Sequence, residues 1–265
     1  MYSRIQLAIK YLSYYFSASN GKGHGMHSPF VFDFITHVLN DSTVYSEYGR
    51  VEAQRRKMLA EKRMLSITDF GAGSSKSSNN QRSIASIAGS AVKPKKYGQL
   101  LYRLVKKYRP STILELGTSL GITSSYMALG NPQAKMITME GAGEIVPVAK
   151  NNFRELGLER IELIQGDFQQ TLPGVLSGFS TFDFVFVDGN HRKEPTLNYF
   201  NQLLPKTSQE TILVFDDIHW SREMEEAWQV IKSHPSVKCA IDLFFIGIIF
   251  FREEFKEKQD FTIRF

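Results

Sequence analysis

The sequence predicts an α/β protein whose core is a doubly wound, mostly parallel sheet. Three observations carry that expectation. Short apolar runs alternate with stretches of helical period from residue 97 to residue 231, the rhythm of a parallel sheet covered on both faces. One run leads into a glycine-rich turn, Gly117-Thr118-Ser119-Leu120-Gly121. Acids stand where successive runs end, at Glu115, Glu140, Asp167, Asp188 and Asp216-Asp217, and ligands bind along that edge of such sheets.

Residues 1–92 are expected to form a helical appendage with a polar loop, and 93–265 the sheet domain. Ile5, Ala8, Ile9, Leu12 and Phe16 follow helical spacing and predict an amphipathic helix docked on the body. Lys10 interrupts that run and argues against a leader peptide. Ser28 as N-cap and Pro29 in the first turn predict a second helix with Phe30, Val31, Phe34, Ile35 and Val38 on its apolar side. That account leaves little reason to read His24 and His27 as a metal pair. Residues 45–63 read as a charged helix with few apolar positions (Val51, Met58, Leu59). A solvated arm, a subunit contact and a phosphate-binding surface all remain open for it.

Two loops compete for a nucleotide. Thr68-Asp69-Phe70-Gly71-Ala72-Gly73 has the glycines, but Ser74-Ser75-Lys76-Ser77-Ser78-Asn79-Asn80 follows without apolar period. No acid comes for over forty residues to take ribose hydroxyls. This stretch is expected to be a polar loop. The turn at Gly117 meets each requirement. A helix over 97–108, with Leu100, Leu101, Leu104 and Val105 on one face, stops at Pro110. Thr112–Leu116 then reads as a buried strand, a helix opens near Thr123 and ends near Gly130, and the next strand, 134–139, finishes at Glu140. The spacing from Gly117 to Glu140 is the ~20 residues such a site uses.

A dinucleotide loop would place glycine where this chain has Ser119 and Ile122. A nucleoside without phosphates makes no such demand. S-adenosylmethionine fits, since its sulfonium and amino group suit a carboxylate-rich crevice. Downstream, 144–158 is helical with Pro147 in its first turn, and strands follow at Ile161–Gln165, 182–187 and 211–215. Another helix runs from near His191 to about Leu204, and Ser221 caps one that reaches Ile231. Residues 237–244 and 246–251 are too close for a crossover and predict an antiparallel pair. The expected result is a Rossmann-like, seven-stranded, mostly parallel sheet with an antiparallel last strand.

In that order the chain resembles the class I S-adenosylmethionine-dependent methyltransferases, and within them the catechol O-methyltransferase-like group, over roughly residues 95–252. The run Tyr97-Gly98-Gln99-Leu100-Leu101 through Tyr108-Arg109-Pro110-Ser111 into Ile113-Leu114-Glu115-Leu116-Gly117 carries the likeness. The resemblance implies that Glu115, Gly117, Thr118, Gly121 and Thr123 surround the methionine part of the cofactor. It implies that Glu140 takes the ribose hydroxyls and that Asp167 and Phe168 lie near adenine. Metal-dependent members hold a divalent ion with an acid and an Asp-Asn pair; the matching positions here are Asp188 and Asp216-Asp217, a set acceptable to magnesium. The family's lysine matches His191, a residue suited to proton removal near neutral pH. His219 and Trp220 are candidates to line an acceptor pocket.

Composition bounds the alternatives. One cysteine, Cys239, rules out an intrachain disulfide framework and points to a reducing, cytoplasmic setting. No apolar run approaches the ~20 residues of a spanning helix, so no membrane partner is expected. The formal charge of +5 is uneven: nine Lys and Arg but no acid fall between Phe70 and Leu114. That block motivates a rival reading, methylation of RNA, which salt-sensitive RNA binding would test. A second rival is a cofactor-binding protein without catalysis, motivated by Asp217 and His191 where the group has other residues. The expected acceptor is a small-molecule hydroxyl.

Overall fold

Helix α1 (Arg4–Ser17) begins at Ser3, whose side chain accepts the Gln6 backbone N–H while the Gln6 side chain accepts the Ser3 N–H. Such a reciprocal capping box satisfies two orphan donors at a helix start. A computed structural model describes residues 1–67, 81–90 and 94–265. They form two compact units, residues 1–40 with 175–265, and residues 41–174. The Gly71-Ala72-Gly73 loop lies outside the described residues.

In the first unit, α1 packs through Leu7, Tyr11, Tyr14 and Ala18 against Phe244 and Phe245. Amphipathic docking is therefore present, but the face differs from the expected one. Ile5, Ile9, Leu12 and Phe16 are exposed. The aromatic side chains Tyr11 and Tyr14 reach Phe244 at ring separations of 5.1 and 5.2 Å, and the Tyr14 hydroxyl donates to the Ile263 carbonyl. Helix α2 (Pro29–Phe34) runs straight into a π-helical turn over Ile35–Leu39. As expected, Val31, Phe34, Ile35 and Val38 are buried. Ser28 stands at the N-cap but makes no side-chain capping bond, and Pro29 occupies the first turn.

The second unit opens with α3 (Ser46–Ala60), which is no solvated arm. Tyr48, Val51, Gln54 and Met58 are buried. Gln54 donates to Asn152 at 2.6 Å, Arg50 donates to the Leu156 carbonyl at 2.6 Å, and Glu52 accepts the Tyr126 hydroxyl at 2.8 Å. Strands β1 (Met64–Ser66) and β2 (Gln81–Ser83) pair antiparallel, and α4 (Ile84–Ser90) follows with Ile84, Ile87 and Ala88 buried. Helix α5 (Lys95–Tyr108) buries the expected Leu100, Leu101, Leu104 and Val105 and ends at Arg109 in the left-handed region, a common helix stop.

Three parallel strands follow: β3 (Thr112–Leu116), β4 (Lys135–Glu140) and β5 (Ile161–Gln165), in the order β3-β4-β5. Helix α6 (Ile122–Gly130) connects the first two, and α7 (Val146–Glu155) connects the second pair with Pro147 in its first turn. Helix α8 (Phe168–Ser177) was not predicted; Pro173 lies inside it.

The first unit then resumes with β6 (Phe184–Val187), α9 (Lys193–Leu203), β7 (Ile212–Asp216) and α10 (Arg222–Ser233). Strands β8 (Cys239–Asp242) and β9 (Ile246–Phe250) form the expected antiparallel pair, with Cys239 opposite Phe250 and Asp242 opposite Gly247. Strand β9 also runs antiparallel to β7, which is parallel to β6. The seven expected strands gain an eighth, β10 (Gln259–Thr262), parallel to β8 in the order β10-β8-β9-β7-β6. Its Gln-Asp-Phe-Thr sequence has no apolar run to announce it, since an edge strand can carry exposed polar residues.

Candidate functional site

In the unit formed by residues 41–174 the candidate binding residues gather after β3 and β4. The turn is tight because Gly117 (φ 108°), Ser119 (φ 47°) and Gly121 (φ 76°) all adopt positive φ. Gly121 has a second reason to lack a side chain: a Cβ there would meet the Phe153 ring at 2.5 Å. The N–H groups of Gly117 and Thr118 both donate to the Met139 carbonyl, at 3.0 and 3.1 Å, stitching the turn to β4. At the end of β4 the Glu140 carboxylate accepts the Ser119 N–H at 2.7 Å and the Ala142 N–H at 2.8 Å. The acid expected to face the glycine turn therefore touches it.

Beneath the turn runs a polar chain whose members are scattered in linear order. Thr138 donates to Glu115 at 2.5 Å, and Ser124 donates to the same carboxylate oxygen. Thr138 has one proton and gives it to Glu115, so Thr118, 2.6 Å away, donates to Thr138. Thr118 thus braces the network, and Thr123 is buried at the start of α6. Burial pushes the Glu115 carboxyl up to about 8, against the hydrogen bonds from Ser124 and Thr138. Its other oxygen, Oε1, and the Ser119 hydroxyl are buried with no hydrogen-bond partner. Buried acceptors left open at a binding turn fit a ligand that brings a hydrogen-bond donor.

Asp167 stands between Gly166 and α8. Its carboxylate accepts the Gln169 N–H at 3.0 Å and its carbonyl accepts the Thr171 N–H at 3.0 Å, so it closes the first turn of that helix. Phe168 opens the helix and is half-buried.

In the unit formed by residues 1–40 and 175–265, β6 and β7 are parallel neighbours and deliver their acids to one edge. One oxygen of Asp188, one of Asp216 and a ring nitrogen of His191 lie within 4.8 Å of one another. The His191 Nε2 is 3.5 Å from Asp188 Oδ1, and Asp216 is buried. Among the described residues this trio is the group able to hold a metal ion, and Asp217 is not one of its three members. Asp217 turns into the left-handed region (φ 53°), and its carbonyl accepts the Trp220 N–H at 2.9 Å. Asn190 (φ 69°) and His191 (φ 39°) are left-handed as well. Such conformations cost energy and concentrate at functional sites. The Asp188–His191–Asp216 set fits a divalent cation; its two carboxylates suit magnesium or manganese, and its imidazole nitrogen suits iron or zinc.

His219 has a different environment from an acceptor-lining residue. It bridges Asp242 at 2.8 Å and Glu225 at 3.0 Å and stacks on Phe244. Glu225 also accepts from the Tyr2 hydroxyl at 2.7 Å and from Lys10 at 3.0 Å. His219 thus belongs to a polar cluster that fastens α1.

Comparison with known proteins shows what the chain is similar to. Residues 114–218 match the family model of a methyltransferase domain. The catechol O-methyltransferase of Niastella koreensis is 30% identical over 124 residues, covering 46% of this chain and 55% of that protein. The catechol O-methyltransferase of Sus scrofa is 32% identical over 98 residues, covering 36% and 53%. This chain spans about half the length of these two curated relatives. Among solved structures, a methyltransferase of Podospora anserina with SAH bound superposes with a TM-score of 0.59 at 15% identity, over 85% of this chain and 97% of that one.

The fold is therefore the Rossmann-like fold of methyltransferases. The likeness to the catechol O-methyltransferase group, read first from the Tyr97–Gly117 motifs, is borne out by the curated relatives.

Proposed function

We propose that this chain is an S-adenosylmethionine-dependent O-methyltransferase acting on a small-molecule hydroxyl. The observation that carries the reading is the pair of glutamates at the glycine turn: Glu140 joined to Ser119 N–H at 2.7 Å, and Glu115 below it with one buried oxygen unpartnered. The relatives named as catechol O-methyltransferases support the class of acceptor.

When bound, S-adenosylmethionine supplies an electrophilic methyl group, and a divalent cation lowers the pKa of an acceptor hydroxyl. The chain's own residues do the rest. Glu140 receives ribose hydroxyls on its carboxylate oxygens. Glu115 offers Oε1 to the amino group of the methionine moiety. Asp167 and Phe168 flank the adenine. Asp188, Asp216 and His191 hold the cation. A second reading is favoured by the 3.5 Å contact between His191 and Asp188: without an ion, the aspartate orients the imidazole and His191 takes the hydroxyl proton. A cytoplasmic setting belongs to the proposal, in keeping with the single, buried Cys239.

Calorimetry with S-adenosylmethionine, and methyl transfer to a catechol with and without Mg2+ or Mn2+, test this directly. Cofactor binding is expected in the wild type and in Asp188→Asn. Metal-stimulated turnover, lost in Asp188→Asn, supports the cation-holding trio. Turnover indifferent to chelation but lost in His191→Gln supports the second reading. A protein that does not bind the cofactor at all overturns the proposal.

A further inference from the structure

The side of α1 that faces away from the protein body is apolar and exposed. Ile5 (75% exposed), Ile9 (62%), Leu12 (54%) and Phe16 (78%) repeat at intervals of four, three and four residues, and they form one continuous stripe. Tyr15, also exposed, borders it. Scattered surface apolar residues need no explanation, but a contiguous stripe of large ones marks a contact with a partner or a lipid surface.

The helix presents this stripe from a fixed position. Its opposite face is anchored by Tyr11 and Tyr14 against Phe244. Tyr2 and Lys10 hold Glu225, and the Tyr14 hydroxyl reaches the Ile263 carbonyl. The exposure is therefore a property of a docked helix.

Charge decides the occupant. The first 32 residues contain no acid; Lys10 is paired with Glu225, which leaves Arg4 and Lys22 as the exposed cations of that segment. Arg264 adds a further cation, its guanidinium 4.7 Å above the Tyr15 ring at the edge of the stripe. Glu225, the acid that faces α1, is already taken up by Tyr2, Lys10 and His219. A second copy docking stripe to stripe would bring two such basic rims together with no acid on either helix to offset them. An anionic lipid surface complements both features. The apolar side chains enter the acyl boundary, and the cations meet the headgroups.

We propose that α1 is an interfacial docking helix which seats this protein on an anionic membrane surface through Ile5, Ile9, Leu12 and Phe16. Nothing spans the bilayer in this arrangement: no described helix is long and apolar enough to cross a membrane. Spanning length bounds only a transmembrane helix, and a helix lying in the interface plane escapes that criterion. The inference is independent of the proposed catalytic activity.

The test is co-sedimentation of the full chain with phosphatidylcholine vesicles, with and without phosphatidylglycerol, at low and high salt. The wild type is expected to bind the phosphatidylglycerol vesicles and to be released by salt. Ile9→Glu/Leu12→Glu is expected to bind at least about tenfold more weakly, since two apolar anchors are lost. Both positions are exposed, so its melting temperature should match the wild type. Val230→Glu, at an exposed apolar site on α10, is the control and should bind as the wild type does. Absence of wild-type binding, equal binding to both kinds of vesicle, or unchanged binding of the double variant overturns the proposal. So does a concentration-dependent dimer that the double variant converts to monomers, because the stripe would then belong to a second copy.

Discussion

The Glu140 carboxylate grips the backbone of the glycine turn, accepting the Ser119 N–H at 2.7 Å. A residue at the end of one strand thereby shapes the loop that follows its neighbour. Ser119 itself holds a positive φ (47°), a conformation that costs a non-glycine residue energy and that this contact helps to hold. Glu140→Gln keeps the shape and removes the charge. Charge-assisted hydrogen bonds contribute about 1.5–3 kcal/mol, so calorimetry should show S-adenosylmethionine bound roughly tenfold or more weakly. Unchanged affinity would remove Glu140 from the ribose.

Glu115 should make both stability and binding depend on pH. Its folded-state value is raised to about 8 from an ordinary 4.5 by burial. The contribution is therefore fully present below the ordinary value and is lost as pH rises through about 8, because the folded state must then carry a buried charge. Melting temperatures of wild type and Glu115→Gln across pH 5 to 9 should differ in slope, with the variant flatter. A ligand ammonium beside Oε1 favours the ionised form, so cofactor binding near pH 7 should release a proton in the wild type and none in the variant. Titration in buffers of different ionisation enthalpy reads that proton.

His219 has the corresponding sign for a base. Burial works to lower its pKa, but hydrogen bonds and charge from Asp242 and Glu225 outweigh it and raise the value above the usual 6.5. Its stabilising contribution is complete below that usual value and fades as pH climbs through the raised one. His219→Gln should lose this slope in a pH series of thermal melts. Proteolysis should also cut the α1 region faster, since Glu225 would keep only Tyr2 and Lys10. Identical slopes in the two proteins would deny the cluster its role.

Gly121→Ala should be costly. A left-handed conformation costs a non-glycine residue about 1–2 kcal/mol, and the added Cβ would lie 2.5 Å from the Phe153 ring. A fall in melting temperature on the order of 5 °C or more is expected, together with weakened cofactor binding. A variant as stable as the wild type would contradict the packing at the head of α6.

Much of this was legible in advance because it is local. The strand after Pro110, the turn at Gly117 and the acid that closes β4 are each dictated by backbone chemistry over a few residues, and their spacing carries the fold. The antiparallel close of β8 on β9 was legible for a similar reason, since too few residues separate them for any other connection. Strand β10 and helix α8 were not, because one has no apolar run and the other holds Pro173.

What only tertiary structure decided is which side of an element meets which neighbour. Periodicity identified the apolar side of α1 but could not show that Tyr11 and Tyr14 on another side would find Phe244. Adjacent acids look alike in a sequence. Yet a strand alternates its side chains and a left-handed residue at its end redirects the next, so Asp216 joins Asp188 and His191 and Asp217 is not among them. The hydroxyl chain Thr118–Thr138–Glu115–Ser124 joins residues on three elements. Hydrogen-bond partners brought together by strand pairing leave no trace in linear order, because the register that unites them is set by the packing of the whole sheet.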